Sequence, residues 1–208
     1  MEQLTKKIET LKDTPEIKKK IDQRINEFKK TNKESKDELF KELCFCLLTA
    51  NFNAEKTIQI QKQINQCFIT DTETQLQKKL KKHGHRFPNK RAEYIKKARK
   101  CHHKIDQIIK NNNQKNLREW LVKNIKGIGY KEASHYLRNI GFQNLAIIDY
   151  HIIALLERHQ IIQKPKTLTR KKYLEIEKQL KKISKKTNLT LAELDLYLWY
   201  METGKILK

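Results

Sequence analysis

Lys126-Gly127-Ile128-Gly129-Tyr130-Lys131-Glu132-Ala133, with Asp149 eighteen positions beyond the lysine (149 − 131), is the stretch from which this chain's fold can be read. Two glycines let the backbone turn tightly and approach another backbone closely. Apolar spacing before the turn, from Leu117 to Ile125, and after it, from Tyr130 to Ile140, predicts two helices joined by that turn. Gly141 ends the second helix as its C′ residue. The N-terminus of that helix offers unpaired N–H groups and the positive end of a dipole, both suited to a phosphate. Lys131 stands in its first turn. A neutral amine is a nucleophile and a nearby carboxylate stabilises a cation. Lys131 with Asp149 therefore points to covalent chemistry, where the Gly-x-Gly turn alone points only to binding.

Working outward, the patterns are helical throughout and no strand alternation competes. Thr14-Pro15 reads as a cap and first-turn proline opening a helix toward Lys29. Ser35-x-x-Glu38 reads as a capping box before Leu39, Phe40 and Leu43. Asn53 caps a helix carrying Ile58, Ile60 and Ile64; Gly84 ends another, and Pro88 starts the next. Asp149 caps a helix running to about His159, and helices at about 170–186 and 190–203 close the chain. The fold expected is all-α, in two helical lobes. The family resemblance described below implies a central helical barrel of 36–125, a second lobe combining 1–35 with 126–208, and the hairpin and active site at the cleft between them.

Lys and Arg number 46 against 24 Asp and Glu, a formal charge of +22 in 208 residues. That excess, spread through helices and not confined to a tail, predicts a folded surface facing a polyanion. No apolar run approaches the ~20 residues of a membrane span, and no signal-peptide core is seen. An intracellular, cytoplasmic monomer is expected, with no membrane partner. Cys44, Cys46, Cys67 and Cys101 lack the paired spacing of zinc ligands, and Cys44 and Cys46 read as buried thiols. No zinc site is expected.

The Gly-x-Gly-Tyr-Lys run with Asp149 and His151 resembles the helix-hairpin-helix DNA glycosylase superfamily. The resemblance places Lys131 on that family's Schiff-base lysine and Asp149 on its catalytic aspartate. It implies DNA held by Gly127, Gly129 and His151. It also implies a monovalent cation, Na+ or K+, on the carbonyls of Lys123, Ile125 and Ile128, with no cofactor required. Endonuclease III-like members carry a four-cysteine iron–sulfur loop near the C-terminus. Here no cysteine follows Cys101, so no such cluster is expected.

A base within a duplex must be extruded before its glycosidic bond is cut, and the gap must be filled. Leu47 to Asn51 resembles the family loop that enters the duplex, which makes Asn51 the candidate filler. His85-Arg86-Phe87 lies between Gly84 and Pro88, where an exposed Phe87 can wedge between bases and Arg86 can bond the orphaned base.

Lys41 to Cys46, Gly84 to Phe87, Lys90 to Ile95 and the tail Leu194 to Lys208 closely resemble the archaeal 8-oxoguanine DNA glycosylases of the second type. That resemblance implies a bifunctional glycosylase and abasic-site lyase acting on double-stranded DNA containing 8-oxoguanine. In this family a lysine at the end of the chain helps separate 8-oxoguanine from guanine; here that is Lys208. It offers a carboxylate for N7–H or an ammonium for O8, and the sequence leaves both open. Trp199 is a candidate to stack on the base. The alternatives are an endonuclease III-like enzyme for oxidised pyrimidines and a hairpin module that binds DNA without chemistry. The absent cysteine cluster argues against the first, and Lys131 with Asp149 against the second.

Overall fold

The computed structural model describes residues 1–208, and every regular element in it is a helix. In chain order these are α1 (Glu2–Lys12), α2 (Pro15–Thr31), α3 (Lys36–Thr49), α4 (Ala54–Ile64), α5 (Cys67–Thr70), α6 (Glu73–Lys82) and α7 (Pro88–Ala98). A 3₁₀ turn (Arg99–Lys104) leads to α8 (Ile105–Lys110), α9 (Gln114–Asn124), α10 (Tyr130–Asn139), α11 (Tyr150–Arg158), α12 (Arg170–Lys186) and α13 (Leu191–Thr203). None is long and apolar enough to cross a membrane.

The caps that the sequence announces hold with two amendments. Asn53 accepts from the Lys56 amide at 2.9 Å and Asp149 from the Ile152 amide at 3.0 Å. Ser35 accepts from Glu38, but the box is not closed: Glu38 turns to Lys41 Nζ at 2.7 Å. Thr14 precedes Pro15 without capping, because its hydroxyl donates back to the Thr10 carbonyl at 3.1 Å. Helix α9 starts earlier than Leu117, since Asn113 caps it through the amides of Lys115 and Asn116.

Helix α3 is buried on all sides from Leu39 to Thr49 and forms the axis of the larger apolar core. Phe40, Phe45, Phe68 and Tyr136 are its largest members. A second core joins α1, α11, α12 and α13, and a third packs α2 against α13. The larger core does not stop at residue 125. It takes in Ile128, Ala133, Tyr136, Leu137, Ile140 and Leu145, so the boundary falls after α10. The reason is geometric: α10 is tied to α9 by a tight turn and lays its apolar face on α3. Gly141 (φ +92°) then lets the chain pass against α2, where an added Cβ would stand 3.1 Å from the Phe28 carbonyl.

Two buried Arg–carboxylate pairs cross between the cores. Arg118 of α9 meets Glu177 of α12 at 2.5 and 3.3 Å, and Arg138 of α10 meets Asp195 of α13.

Candidate active site

The hairpin between α9 and α10 is shaped by Gly127. Its φ is +90°, and a Cβ there would sit 2.3 Å from the Tyr94 ring, so only glycine fits. The Ile128 amide closes the turn on the Ile125 carbonyl at 3.2 Å. Gly129 N–H does not face out: it donates to Glu132 Oε2 at 3.2 Å, which returns to cap its own helix. The amides of Gly127, Tyr130 and Lys131 have no protein acceptor, which leaves them free as donors at the positive end of the α10 dipole.

A cavity of about 890 Å³ opens beside this helix end. Lys131, Asp149 and His151 line it, and so do Asn51, Arg86, Trp199 and Lys208. Residues scattered over the chain from 51 to 208 thus meet in one place. Lys131 Nζ makes no hydrogen bond or ion pair within the protein. Asp149 uses Oδ1 to cap α11. Lys208 Nζ is engaged, donating to Glu42 Oε2 at 2.7 Å and to Gln61 Oε1 at 2.5 Å, 4.2 Å from the Phe45 ring centre. The His151 ring meets Trp199 edge-on at 5.2 Å between centres.

Phe87 is less exposed than its loop position suggests. It is half-buried at the start of α7 and does not line the cavity; Arg86 lies over its ring at 4.9 Å and is the exposed member of the pair. Asn51 is exposed with φ +56°, a left-handed conformation that asparagine tolerates well. His85 supports both loops: its Nε2 lies 3.0 Å from the Leu48 carbonyl and its Nδ1 accepts from the Phe87 amide. Burial holds His85 below the usual imidazole range, with the Arg91 charge adding to it. Arg91 in turn donates to the Ala50 carbonyl.

Of the cavity residues that sequence reasoning did not single out, three bear on its electrostatics and rim. His135 lies one helical turn beyond Lys131 on α10, a spacing that could have flagged it. Burial, and then the Arg138, Lys131 and Lys208 charges, push it well below the ordinary imidazole range, so it is neutral. Asp195 is pushed up to about 6, chiefly by burial and with the Asp149 charge contributing, while Arg138 and Lys131 oppose the shift. Tyr150, 73% exposed, stands at the rim with its ring 3.9 Å from that of His151.

Comparison with known proteins identifies the family. A family model described as 8-oxoguanine DNA glycosylase matches residues 21–189. An 8-oxoguanine DNA glycosylase/AP lyase of Methanocaldococcus jannaschii is 56% identical over 206 residues, 99% of each chain. The chain belongs to the 8-oxoguanine DNA glycosylase family. A Korarchaeum cryptofilum glycosylase/AP lyase of the same name is 54% identical over 190 residues, 90% of each chain. Among solved glycosylases, the M. jannaschii protein in complex with a 15mer DNA containing 8-oxoguanine superposes with a TM-score of 0.96 at 55% identity, covering 99% of this chain and 100% of that one. The Thermotoga maritima 8-oxoguanine DNA glycosylase superposes at 0.94 with 43% identity, covering 100% of both chains. No group of three His, Cys, Asp or Glu side chains in this family member could hold a metal ion.

Proposed function

We propose that this protein removes 8-oxoguanine from double-stranded DNA and then cuts the strand at the abasic site. The observation that carries the reading is the convergence of an unpaired lysine amine and a carboxylate, Lys131 and Asp149, in one cavity beside an anion-binding helix end. Its place of action is chromosomal DNA in the cytoplasm.

The chemistry follows from these groups. The base leaves the stack and enters the cavity, which costs a few kcal/mol. Phosphates meet the free amides of Gly127, Tyr130 and Lys131, aided by His151 and by the excess of surface lysines. Carbonyls in the last turn of a helix lack intrahelical partners. The Lys123 carbonyl in the last turn of α9, with those of Ile125 and Ile128 just beyond it, would hold Na+ or K+, the Ile125 oxygen through the lone pair not used by the Ile128 amide; the ion would supply positive charge near a phosphate, and the chemistry itself needs no cofactor. Asn51 fills the gap and Arg86 bonds the orphaned partner base.

Lys131 Nζ, once neutral, forms a bond to C1′ as the C1′–N9 bond breaks. The bond electrons leave with the base, which gains a proton. Asp149 stabilises the cationic character of the sugar. The ring then opens to an iminium between Nζ and C1′. Loss of a C2′ proton expels the 3′ phosphate, cutting the strand, and water releases Lys131. Guanine has only an acceptor at N7 and a C–H at position 8. The oxidised base has an N7–H donor and O8, and Lys208, with Trp199 stacking, reads that difference.

Borohydride reduction of the iminium tests the proposal. A covalent protein–DNA adduct is expected on a duplex with 8-oxoguanine, and little on one with an oxidised pyrimidine. Equal trapping on both, or none on the first, overturns it.

A further inference from the structure

A continuous polar chain runs through the interior from one wall of the cavity to another. Lys208 Nζ is held by Glu42 of α3 and Gln61 of α4. Glu42, only 8% exposed, also accepts from Asn139 Nδ2 at 2.7 Å and from Gln61 Nε2 at 3.4 Å. Asn139 Oδ1 accepts from Arg138 Nε at 3.1 Å and Nη2 at 2.9 Å, and Arg138 pairs with Asp195. Glu42 and Gln61 lie outside the cavity lining; Lys208 and Asp195 lie in it.

An ammonium has three N–H donors. Two of those on Lys208 are committed to Glu42 and Gln61, and the face of Phe45 lies 4.2 Å away. The direction of what remains is thereby fixed before any base arrives. This matters for selectivity, which is a difference between two affinities. A mobile lysine could reach acceptors common to guanine and 8-oxoguanine, such as O6. A lysine that cannot swing gains only at the position where the two bases differ, and the cost of ordering a long side chain has been met on folding.

We propose that Glu42 and Gln61 are positioning residues that set the preference for the oxidised base by clamping Lys208 in the cavity wall. This rests on the reading above that Lys208 meets the base. Selectivity is thus controlled from α3 and α4, the helices of the larger core, although neither residue lines the cavity.

The test measures kcat/KM for excising 8-oxoguanine against guanine at the same position, and strand cleavage at a preformed abasic site. It uses wild type, Glu42→Gln, Gln61→Ala, Lys208→Met and the double variant Glu42→Gln/Lys208→Met. Each single change is expected to reduce the selectivity ratio by about tenfold or more, the loss of one charge-assisted hydrogen bond. Cleavage at the preformed abasic site should stay at the wild-type rate in Glu42→Gln and Gln61→Ala. The double variant should be no worse than its worse parent, because both changes remove one interaction. Gln61→Ala leaves the Glu42–Asn139 bond in place, so it reports even if Glu42→Gln fails to fold. An unchanged ratio overturns the clamp, as do abasic-site cleavage falling in step with selectivity and fully additive losses in the double variant. Wild type inactive on the lesion overturns the parent reading and the clamp with it; an active wild type with unaltered variants overturns the clamp alone.

Discussion

Arg118–Glu177 and Arg138–Asp195 are built from like parts, and each joins the two cores, yet their carboxylates titrate in opposite directions. Burial pushes Glu177 up, but hydrogen bonds and charge from Arg118, then Lys181 and the Ala146 amide, outweigh it, so the group sits below its ordinary range. Asp195 is equally withdrawn from water but pairs with Arg138 alone, and the Asp149 charge works against its ionisation. A carboxylate surrounded by donors is a fastener. One with a single partner, set in a cavity wall near a second carboxylate, retains an unmet electrostatic demand. The molecule keeps its firm pair away from the cavity and its uneasy pair inside it.

The sharpest break between holding and reacting is Lys131→Gln. Trapping on a lesion duplex should fall below about a thousandth of wild type, as when other nucleophiles are removed, while the thermal midpoint stays put. Glu177→Ala should do the reverse. Leaving Arg118 buried and unpaired should cost about 3–5 kcal/mol of unfolding free energy, with trapping per folded molecule retained; a small loss in urea titration would show that the pair is no fastener. Asp149→Asn should lower single-turnover base release about 10²- to 10³-fold with little change in stability, because asparagine also caps α11.

The pH response separates the two pairs more finely. Asp195 is raised in the folded state, so folding favours its protonated form. Its contribution to stability is present at low pH, falls as pH rises from its unfolded value of about 4 to about 6, and is level above that. Glu177 is depressed, and its contribution is lost as pH falls through the acid range below its unfolded value. Asp195→Asn should therefore leave a stability curve that rises more steeply over the first interval, and Glu177→Gln one that falls less at the acid end. Chemical denaturation at a series of pH values checks both. The smallest effect expected is a shift in Asp195 itself. Asp149→Asn should lower its titration midpoint and Lys131→Gln raise it, as followed by carboxyl-carbon NMR; no movement would disconnect Asp195 from the reacting groups.

The hairpin, its lysine and the carboxylate cap were legible because each depends on neighbours in sequence: a glycine at positive φ, a first-turn position, an Asp at a helix start. The second lobe's use of α1 and α2 also followed from resemblance. The two Arg–carboxylate pairs and the Glu42–Lys208 clamp were not legible. Their partners lie 57 to 166 positions apart, and in a chain with 46 basic residues each charge reads as a solvated face. Phe87 is less exposed than its loop position suggests, because Arg86 above and Arg91 beside the ring partly cover it. The boundary after α10 depends on which core receives its apolar face, and periodicity does not specify that.

The Tyr94 ring, occupying the space that glycine leaves at position 127, has a mechanical consequence. Tyr94 and Arg91 belong to α7, whose start adjoins Arg86 and whose Arg91 supports the loop before Asn51. One eleven-residue helix, about 16 Å long at 1.5 Å per residue, therefore fixes the spacing between the hairpin and the loops that carry Asn51 and Arg86. On the proposed reading, in which the hairpin holds phosphates and Asn51 and Arg86 enter the duplex, that fixed spacing puts the demand for bending on the nucleic acid. Stiff tracts resist such bending and pyrimidine–purine steps yield to it. The speed of repair at a given lesion is then partly a property of the sequence flanking it.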